Sequence, residues 1–437
     1  MGRKRLVVQA RASSRKVDAI RFPQFASVTD FYRIGLAALE IEKQVKKGHR
    51  QIDCIVPVSL DNLDLVKSAE IDQDLTSLIE FLWPVDVRFR FLAADTRIPT
   101  VDRQADMASV RVVSLFSGGV DSLATLFKIS GRGRPLAVFV AHRDQSGTIN
   151  IVRGIYDKIL KPRGLPLLSV YAPPVARLGY VQTRGFLYGM AGIAISIRVG
   201  AESLVIGECG PTMFQPQFGP FDSTTMTSHP VVISTLRSIG TKISEGGLSI
   251  DTPLATATKA EAIAMLARPS WLPMTHSCIS QQFRSHDGTC YGCIIRRIGS
   301  TLVGIRDVKY RYGIFATGPM GRDNLLALIR FSHDVLFNFD SLPDETKEEF
   351  ARWRTRGLFE RFALDNVAGL RLMVESPEGK APLAREIDRT FDLRDLEQLC
   401  DDRIETIRNL HRASIESMGP VDLLTRRLSK QGPNRPG

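Results

Sequence analysis

Along the chain, short runs rich in valine and isoleucine alternate with stretches whose apolar residues recur every three or four positions. Leu6-Val7-Val8, Ile52 to Val58 and Val85 to Phe91 read as strands, the last with apolar and polar residues in strict alternation. Between the first two, Val28 to Lys47 has helical spacing, with Asp30 placed to cap it. From Val110 to about Ile305 the pattern is strand–helix alternation. Arg111 to Phe116, Leu136 to Val140, Leu167 to Tyr171 and Ser203 to Gly207 are the apolar runs, with helical stretches between them. Buried strands separated by helices predict an α/β fold built on a doubly wound parallel sheet. Beyond Arg306 the pattern turns helical, with Asp323 to Leu336 and Leu393 to Met418 as the clearest segments. Phe350, Trp353, Phe359 and Phe362 lie at helical spacing and predict a packed core rather than a base-stacking surface. Three spans follow: an N-terminal α+β accessory domain over 1–108, the α/β domain over 109–305, and a mainly helical region over 306–437. The basic, Gly- and Pro-containing tail after Leu428 is expected to be disordered.

Composition narrows the class without naming a task. The 437 residues, 43% hydrophobic and 24% charged, are those of a soluble globular protein of two or three domains. The longest nearly apolar run, Phe186 to Ile197, is too short to span a bilayer and reads as a buried helix. No secretory leader pattern is visible, and six scattered cysteines suit a reducing, cytoplasmic setting better than a disulfide frame. A formal charge of +11 suits nucleic acid, nucleotide phosphates or an acidic protein. Solvated termini account equally well for the basic clusters at the two ends.

The chemistry concentrates at Ser117-Gly118-Gly119-Val120-Asp121-Ser122, between an apolar strand and a helical run. Glycines let the backbone approach an anion, because no Cβ stands in the way. Free N–H groups and the positive end of the helix dipole then face one point. Ser117 and Ser122 add hydroxyl donors, whereas the Asp121 carboxylate suits Mg²⁺ rather than phosphate. No Gly-Lys-Ser/Thr follows, so this is not a Walker A loop. In a doubly wound sheet, ligands bind beyond the carboxyl ends of the strands. His142 and Glu208 end up there as candidate substrate-binding residues. Arg184, which opens the long apolar helix, is placed either to reach that pocket or to flank the helix at the surface.

A second constellation follows. Cys278, Cys290 and Cys293, the last two in a Cys-x-x-Cys knuckle, suit one Zn²⁺, with His286 or His276 as fourth ligand. Upstream, Thr258 and Glu261 have capping-box spacing, which predicts a helix over Ala260–Leu266. Lys259 would then sit in a first turn that disfavours a cation. An anionic ligand such as phosphate explains it, as does simple surface exposure.

The glycine turn resembles the Ser-Gly-Gly-x-Asp-Ser signature of the PP-loop ATP pyrophosphatases, whose fold is of the adenine nucleotide alpha hydrolase type. The turn, the Arg184-opened helix, the Thr252-Pro253-Leu254 to Thr258-Lys259-Ala260-Glu261 segment and the cysteine cluster occur in that order. Together they resemble the 7-cyano-7-deazaguanine synthase family over roughly residues 110–300. The resemblance implies Mg-ATP-dependent adenylation of the carboxylate of 7-carboxy-7-deazaguanine, followed by attack of nitrogen on the activated acid. Ser117, Gly118, Gly119, Val120, Asp121 and Ser122 would hold ATP, with Asp121, Lys259 and Arg184 assisting catalysis, and Cys278, Cys290 and Cys293 binding zinc. Three features depart from the family. Arg296 stands where its last knuckle cysteine would be, the tract Cys209 to Ser228 lacks a clear Tyr-Pro-Asp element, and both ends are extended. Longer proteins of this kind resemble members of bacterial anti-phage operons, which implies partner proteins from the same operon and a protein amine as a second acceptor class. A homodimer is compatible with the extra domains. A PP-loop enzyme modifying tRNA, and a non-catalytic nucleotide-sensing subunit of a defence complex, are the competing expectations.

Overall fold

In the computed structural model the described residues are 6–9, 29–68, 70–93, 109–132, 134–142, 144–175, 178–179, 181–214, 226–266, 268–278, 286–315, 319–376, 384 and 397–417. The expected disordered tail lies outside them. The chain divides into two compact units, 1–256 and 257–437. That division does not coincide with boundaries at 108 and 305.

The first unit holds two sheets. One joins β1 (Leu6–Gln9), β2 (Gln51–Val58) and β3 (Asp86–Ala93), all parallel in the order β1-β2-β3. The crossovers are α1 (Thr29–Lys46), then α2 (Leu60–Ser68) and α3 (Ile71–Leu82). This corrects the α+β expectation for the N-terminal span, since parallel pairing requires the helices to lie between the strands rather than apart from them. Inward residues Ile52, Cys54, Val56 and Val58 of β2 are buried, as period-two patterning requires.

The second sheet is built from β4 (Val112–Leu115), β5 (Leu136–His142), β6 (Leu167–Ala172), β7 (Ser203–Val205) and β8 (Ser249–Asp251). All pairs are parallel, in the order β6-β5-β4-β7-β8. The chain moves outward from central β4 through β5 to β6, then crosses back to β7 and β8. Between these strands run α4 (Val120–Ile129), α5 (Ser146–Ile155), α6 (Arg184–Val199), α7 (Gly210–Phe214) and α8 (Pro230–Ile243). Residues of α1 and of α6 belong to one continuous apolar core. At their closest approach a Cβ on Gly35 would stand 3.1 Å from the Leu187 backbone. The same junction carries a fully buried carboxylate, Glu42, which accepts from the Gln182 and Thr183 amides at 2.9 and 2.8 Å and from Thr183 Oγ1 at 2.7 Å. It fixes the entry to α6.

The second unit is helical: α9 (Lys259–Ala264), a 3₁₀ segment (Pro269–Met274), α10 (Tyr291–Val303), α11 (Pro319–Phe337), α12 (Asp344–Trp353), α13 (Arg356–Val374) and α14 (Glu397–Glu416). Phe350, Phe359 and Phe362 are buried against one another, with Phe350 and Phe359 stacked at 4.6 Å, as core packing requires. The capping box forms, with Thr258 Oγ1 accepting from the Glu261 amide and Glu261 Oε2 accepting from the Thr258 amide. Glu261 also binds Arg361 and Arg403, and Arg403 Nε donates to Asp365 at 2.7 Å. These bonds tie α13 and α14 to the start of α9. Among the described residues no helix is long and apolar enough to cross a membrane.

Candidate functional site

The strand-to-helix turn at the carboxyl end of β4 is shaped by its glycines. Gly118 has φ +79°, and a Cβ there would meet Val152 Cγ2 at 3.0 Å, so conformation and space both demand glycine. Gly119 then starts α4 with extended backbone and no side-chain cap. Inside the turn, Ser122 Oγ donates to Gly119 O at 3.0 Å, while the Gly119 and Ser117 amides donate weakly to the two serine hydroxyls at 3.4 and 3.3 Å. Ser117 itself is exposed. The first-turn amides of α4 have no acceptor within the helix, as at any helix start.

This turn follows the central strand, with β5 on one side and β7 on the other. It therefore sits where the winding direction reverses, the place at which open α/β sheets bind ligands. Asp121 is buried on the first turn, and its Oδ2 accepts from the Cys209 amide at 3.3 Å. That bond draws the Gly207-Glu208-Cys209 loop of β7 against α4. The approach is close: a Cβ on Gly207 would lie 2.5 Å from Thr125 Oγ1. Asp121 and Glu208 therefore stand at the carboxyl ends of adjacent strands.

His142 and Arg184 come together one strand further out. His142 closes β5, is 1% exposed, and its Nδ1 lies 2.6 Å from the carbonyl of Pro173. Its ring packs 5.7 Å from that of Tyr188, one helical turn along α6 from Arg184. Lys259 opens α9, buried, in the second unit. It is not an ordinary exposed lysine.

The cysteines meet as the spacing predicts. Ligand atoms of Cys278, Asp287, Cys290 and Cys293 lie within 4.8 Å of one another, and the cluster could hold a metal ion such as zinc. A tetrahedron with metal–sulfur bonds near ~2.3 Å has edges of about 3.8 Å, so a small contraction suffices. The fourth group is Asp287, and neither expected histidine takes that place. His286 Nε2 accepts from the Ser277 amide at 3.1 Å, and its ring packs 4.8 Å from that of His276. Burial, then the charges of Arg296 and His276, push His286 down to about 4. Asp287 Oδ1 accepts from the Thr289 and Cys290 amides at 2.7 and 3.1 Å, which sets the knuckle. The Asp-x-x-Cys spacing was readable, but a carboxylate beside three thiols carries no distinctive signal. The Cys293 thiol resists ionisation: hydrogen bonding to Cys278 and Cys290, then burial, raises it far above the usual thiol range. A divalent cation reverses that balance.

Zinc content of the full chain, measured by mass spectrometry after exhaustive dialysis, is expected near one ion per chain. Asp287→Asn keeps the acceptor for the knuckle amides and removes the charge. It should weaken zinc by more than the about 10–100-fold typical of outer partners, with His276→Ala close to wild type. The reverse ranking would return the fourth position to histidine.

Arg296, where the resembled family has a cysteine, does not face this cluster as a ligand. Fully buried, it donates to both oxygens of Asp307 at 2.9 and 2.7 Å, to the carbonyls of Leu272 and Thr275, and to the hydroxyls of Thr275 and Ser277. The guanidinium holds the loop that leads into Cys278. Comparison with family models, with curated proteins and with solved structures finds no match to this chain.

Proposed function

We propose that this chain is an ATP-dependent carbon–nitrogen ligase of the PP-loop kind, acting on a 7-deazaguanine carboxylate. One observation carries the reading: an uncapped glycine turn follows the central strand at the reversal of a parallel sheet, with a buried carboxylate one residue inside the helix. In this reading the α4 amides and the Ser117 and Ser122 hydroxyls would hold the phosphates, and Asp121 would hold Mg²⁺, whose charge would offset that of the leaving pyrophosphate. A substrate carboxylate oxygen attacks the α-phosphorus, the bond to the β-phosphate oxygen breaks, and pyrophosphate leaves. A nitrogen nucleophile, ammonia or an amine of a partner protein, then adds to the acyl carbon, loses a proton and expels AMP. The protein supplies position and charge neutralisation rather than a covalent intermediate. The cysteine cluster serves as structure, because four protein ligands leave a metal no open position.

Purified protein given Mg-ATP, ammonium and 7-carboxy-7-deazaguanine should release pyrophosphate only when the acid is present, with the amide in the mass spectrum, or the nitrile where a second ATP adenylates the amide oxygen, which then leaves with AMP. Omitting ammonium and adding co-expressed neighbour proteins should instead give a mass adduct on one of them. Release of phosphate rather than pyrophosphate, or no release under any of these conditions, would remove the reading.

A further inference from the structure

A basic, aromatic loop lies against the cysteine knuckle, and neither the fold nor the nucleotide chemistry accounts for its composition. Residues 288–312 carry five basic side chains, Arg296, Arg297, Arg306, Lys309 and Arg311, against one acid, Asp307. Arg296 takes up Asp307 in the interior, so the charge of the other four is not offset within this stretch. Arg306, Lys309 and Arg311 are exposed, and Arg297 is half-buried. The side chains of Arg306 and Lys309 have no hydrogen bond or ion pair among the described residues.

Exposed cations alone are ordinary surface. Here they are interleaved with rings, in the order Lys309-Tyr310-Arg311-Tyr312. The Arg297 guanidinium lies 5.1 Å from the centre of the Tyr310 ring, and that of Arg311 lies 5.2 Å from the Tyr312 ring. Such contacts hold the guanidinium groups in place. Tyr310 is itself fixed, because its hydroxyl donates to Asp307 Oδ2 at 2.5 Å. Tyr312 is different: its ring is not packed away, and the residue is 40% exposed. The loop is also anchored. The Arg311 and Tyr312 amides donate to the carbonyls of His286 and Asp287, both at 3.0 Å. Gly288, with φ +89°, lets the loop pass, since a Cβ there would stand 2.5 Å from the Tyr312 carbonyl oxygen. The knuckle and the loop therefore form one scaffold.

We propose that this surface, the loop Arg306–Tyr312 with Arg297 of α10, binds single-stranded nucleic acid without sequence preference. The cations meet backbone phosphates, and a base stacks on the exposed ring of Tyr312. An acidic peptide would gain from the cations but has no base to stack on the ring, which is why a nucleic acid is the better occupant. The inference does not depend on the ligase reading, since no residue of the glycine turn takes part.

Fluorescence anisotropy on the full chain without ATP tests it, using labelled mixed-sequence RNA and DNA strands about 16 nucleotides long. With four phosphates engaged, log affinity should fall with log salt at a slope of about −3, or about 50-fold between about 50 and 200 mM salt. Arg306→Gln combined with Lys309→Gln should roughly halve that slope. Tyr312→Ala should cost about 5- to 100-fold with the slope unchanged, and Tyr312→Phe should restore binding. Lys158→Gln combined with Lys161→Gln removes the same charge from exposed positions in the first unit and should leave binding close to wild type. Binding of RNA, of DNA or of both supports the surface and names its source. No binding of either strand at low salt, equal affinity for a polyglutamate peptide, equal losses in the two double variants, or unaltered affinity in a Tyr312→Ala protein with wild-type melting would overturn it.

Discussion

Arg296→Met should destabilise the full chain by about 3–5 kcal/mol, the usual cost of removing one partner of a buried ion pair. The side chain is 0% exposed and engages Asp307, Leu272, Thr275 and Ser277 together. Methionine fills the volume but leaves the Asp307 carboxylate without its cation and takes the guanidinium donor from the Thr275 carbonyl, while the Leu272 carbonyl keeps the Thr275 amide and hydroxyl. Adding Asp307→Leu should recover part of the loss, since an apolar pair tolerates burial where a lone charge does not. The defect also has a pH signature. Burial pushes Asp307 up, but the Arg296 hydrogen bonds and charge, with Tyr310 and Val308, outweigh it and hold the carboxyl below its usual range. A depressed carboxyl contributes stability above its unfolded pKa, about 3.9, and loses it as pH falls through the lower folded value. In the variant the uncompensated acid is easier to bury protonated. The gap between variant and wild type, followed by urea unfolding, should therefore narrow as pH falls from 7 towards 4. A gap that stays constant, or lies under about 1 kcal/mol at pH 7, would show that the guanidinium is not holding this fold.

Arg296→Cys is the sharper form of the same experiment. It restores a fourth thiol at the spacing of the resembled family, and on spacing alone it should improve the metal site. The structure gives the opposite expectation. Asp287 already stands in the cluster, and the guanidinium holds the loop that delivers Cys278. Nothing in the one-dimensional pattern could reveal this. The partners of Arg296 lie 11 to 24 residues away in irregular segments with no period.

Where a local pattern existed, the sequence was legible. Helix α1 falls within one residue of its expected ends, because a single apolar stripe and flanking turn residues define it. The glycine turn was legible for the same reason: φ +79° at Gly118 is written directly in residue type. Strand β8 was missed, since three residues are too few to establish any period. The union of the N-terminal sheet with the α/β sheet was also missed. It depends on α1 and Glu42 meeting residues some 140 positions later, as the Thr183 bond at a separation of 141 shows. Close packing of distant helices is decided by shape, which hydropathy does not encode.

Asp121→Asn should separate a catalytic turn from a merely structural one. The substitution is nearly isosteric, and its amide oxygen can still accept from the Cys209 amide. Fold and melting temperature should therefore change little, because the favourable term of an anion near a helix start is only about 0.3–1 kcal/mol. The nucleotide chemistry should change greatly. A carboxylate one residue inside the α4 start repels a triphosphate unless a divalent cation lies between them. Without Mg²⁺, ATP should bind the asparagine variant as well as wild type or better, because that repulsion is gone. With Mg²⁺ the order should invert, and acid-dependent pyrophosphate release should fall by about 10²–10³-fold, the scale of a lost transition-state charge contact. This reversal with Mg²⁺ is hard to obtain by general damage, which would weaken both forms of the nucleotide alike. Turnover within about threefold of wild type, or equal losses with and without Mg²⁺, would deny Asp121 a metal-holding role. The turn would then be a sharp joint between β4 and α4, and the ligase reading would lose the residue on which its charge neutralisation depends.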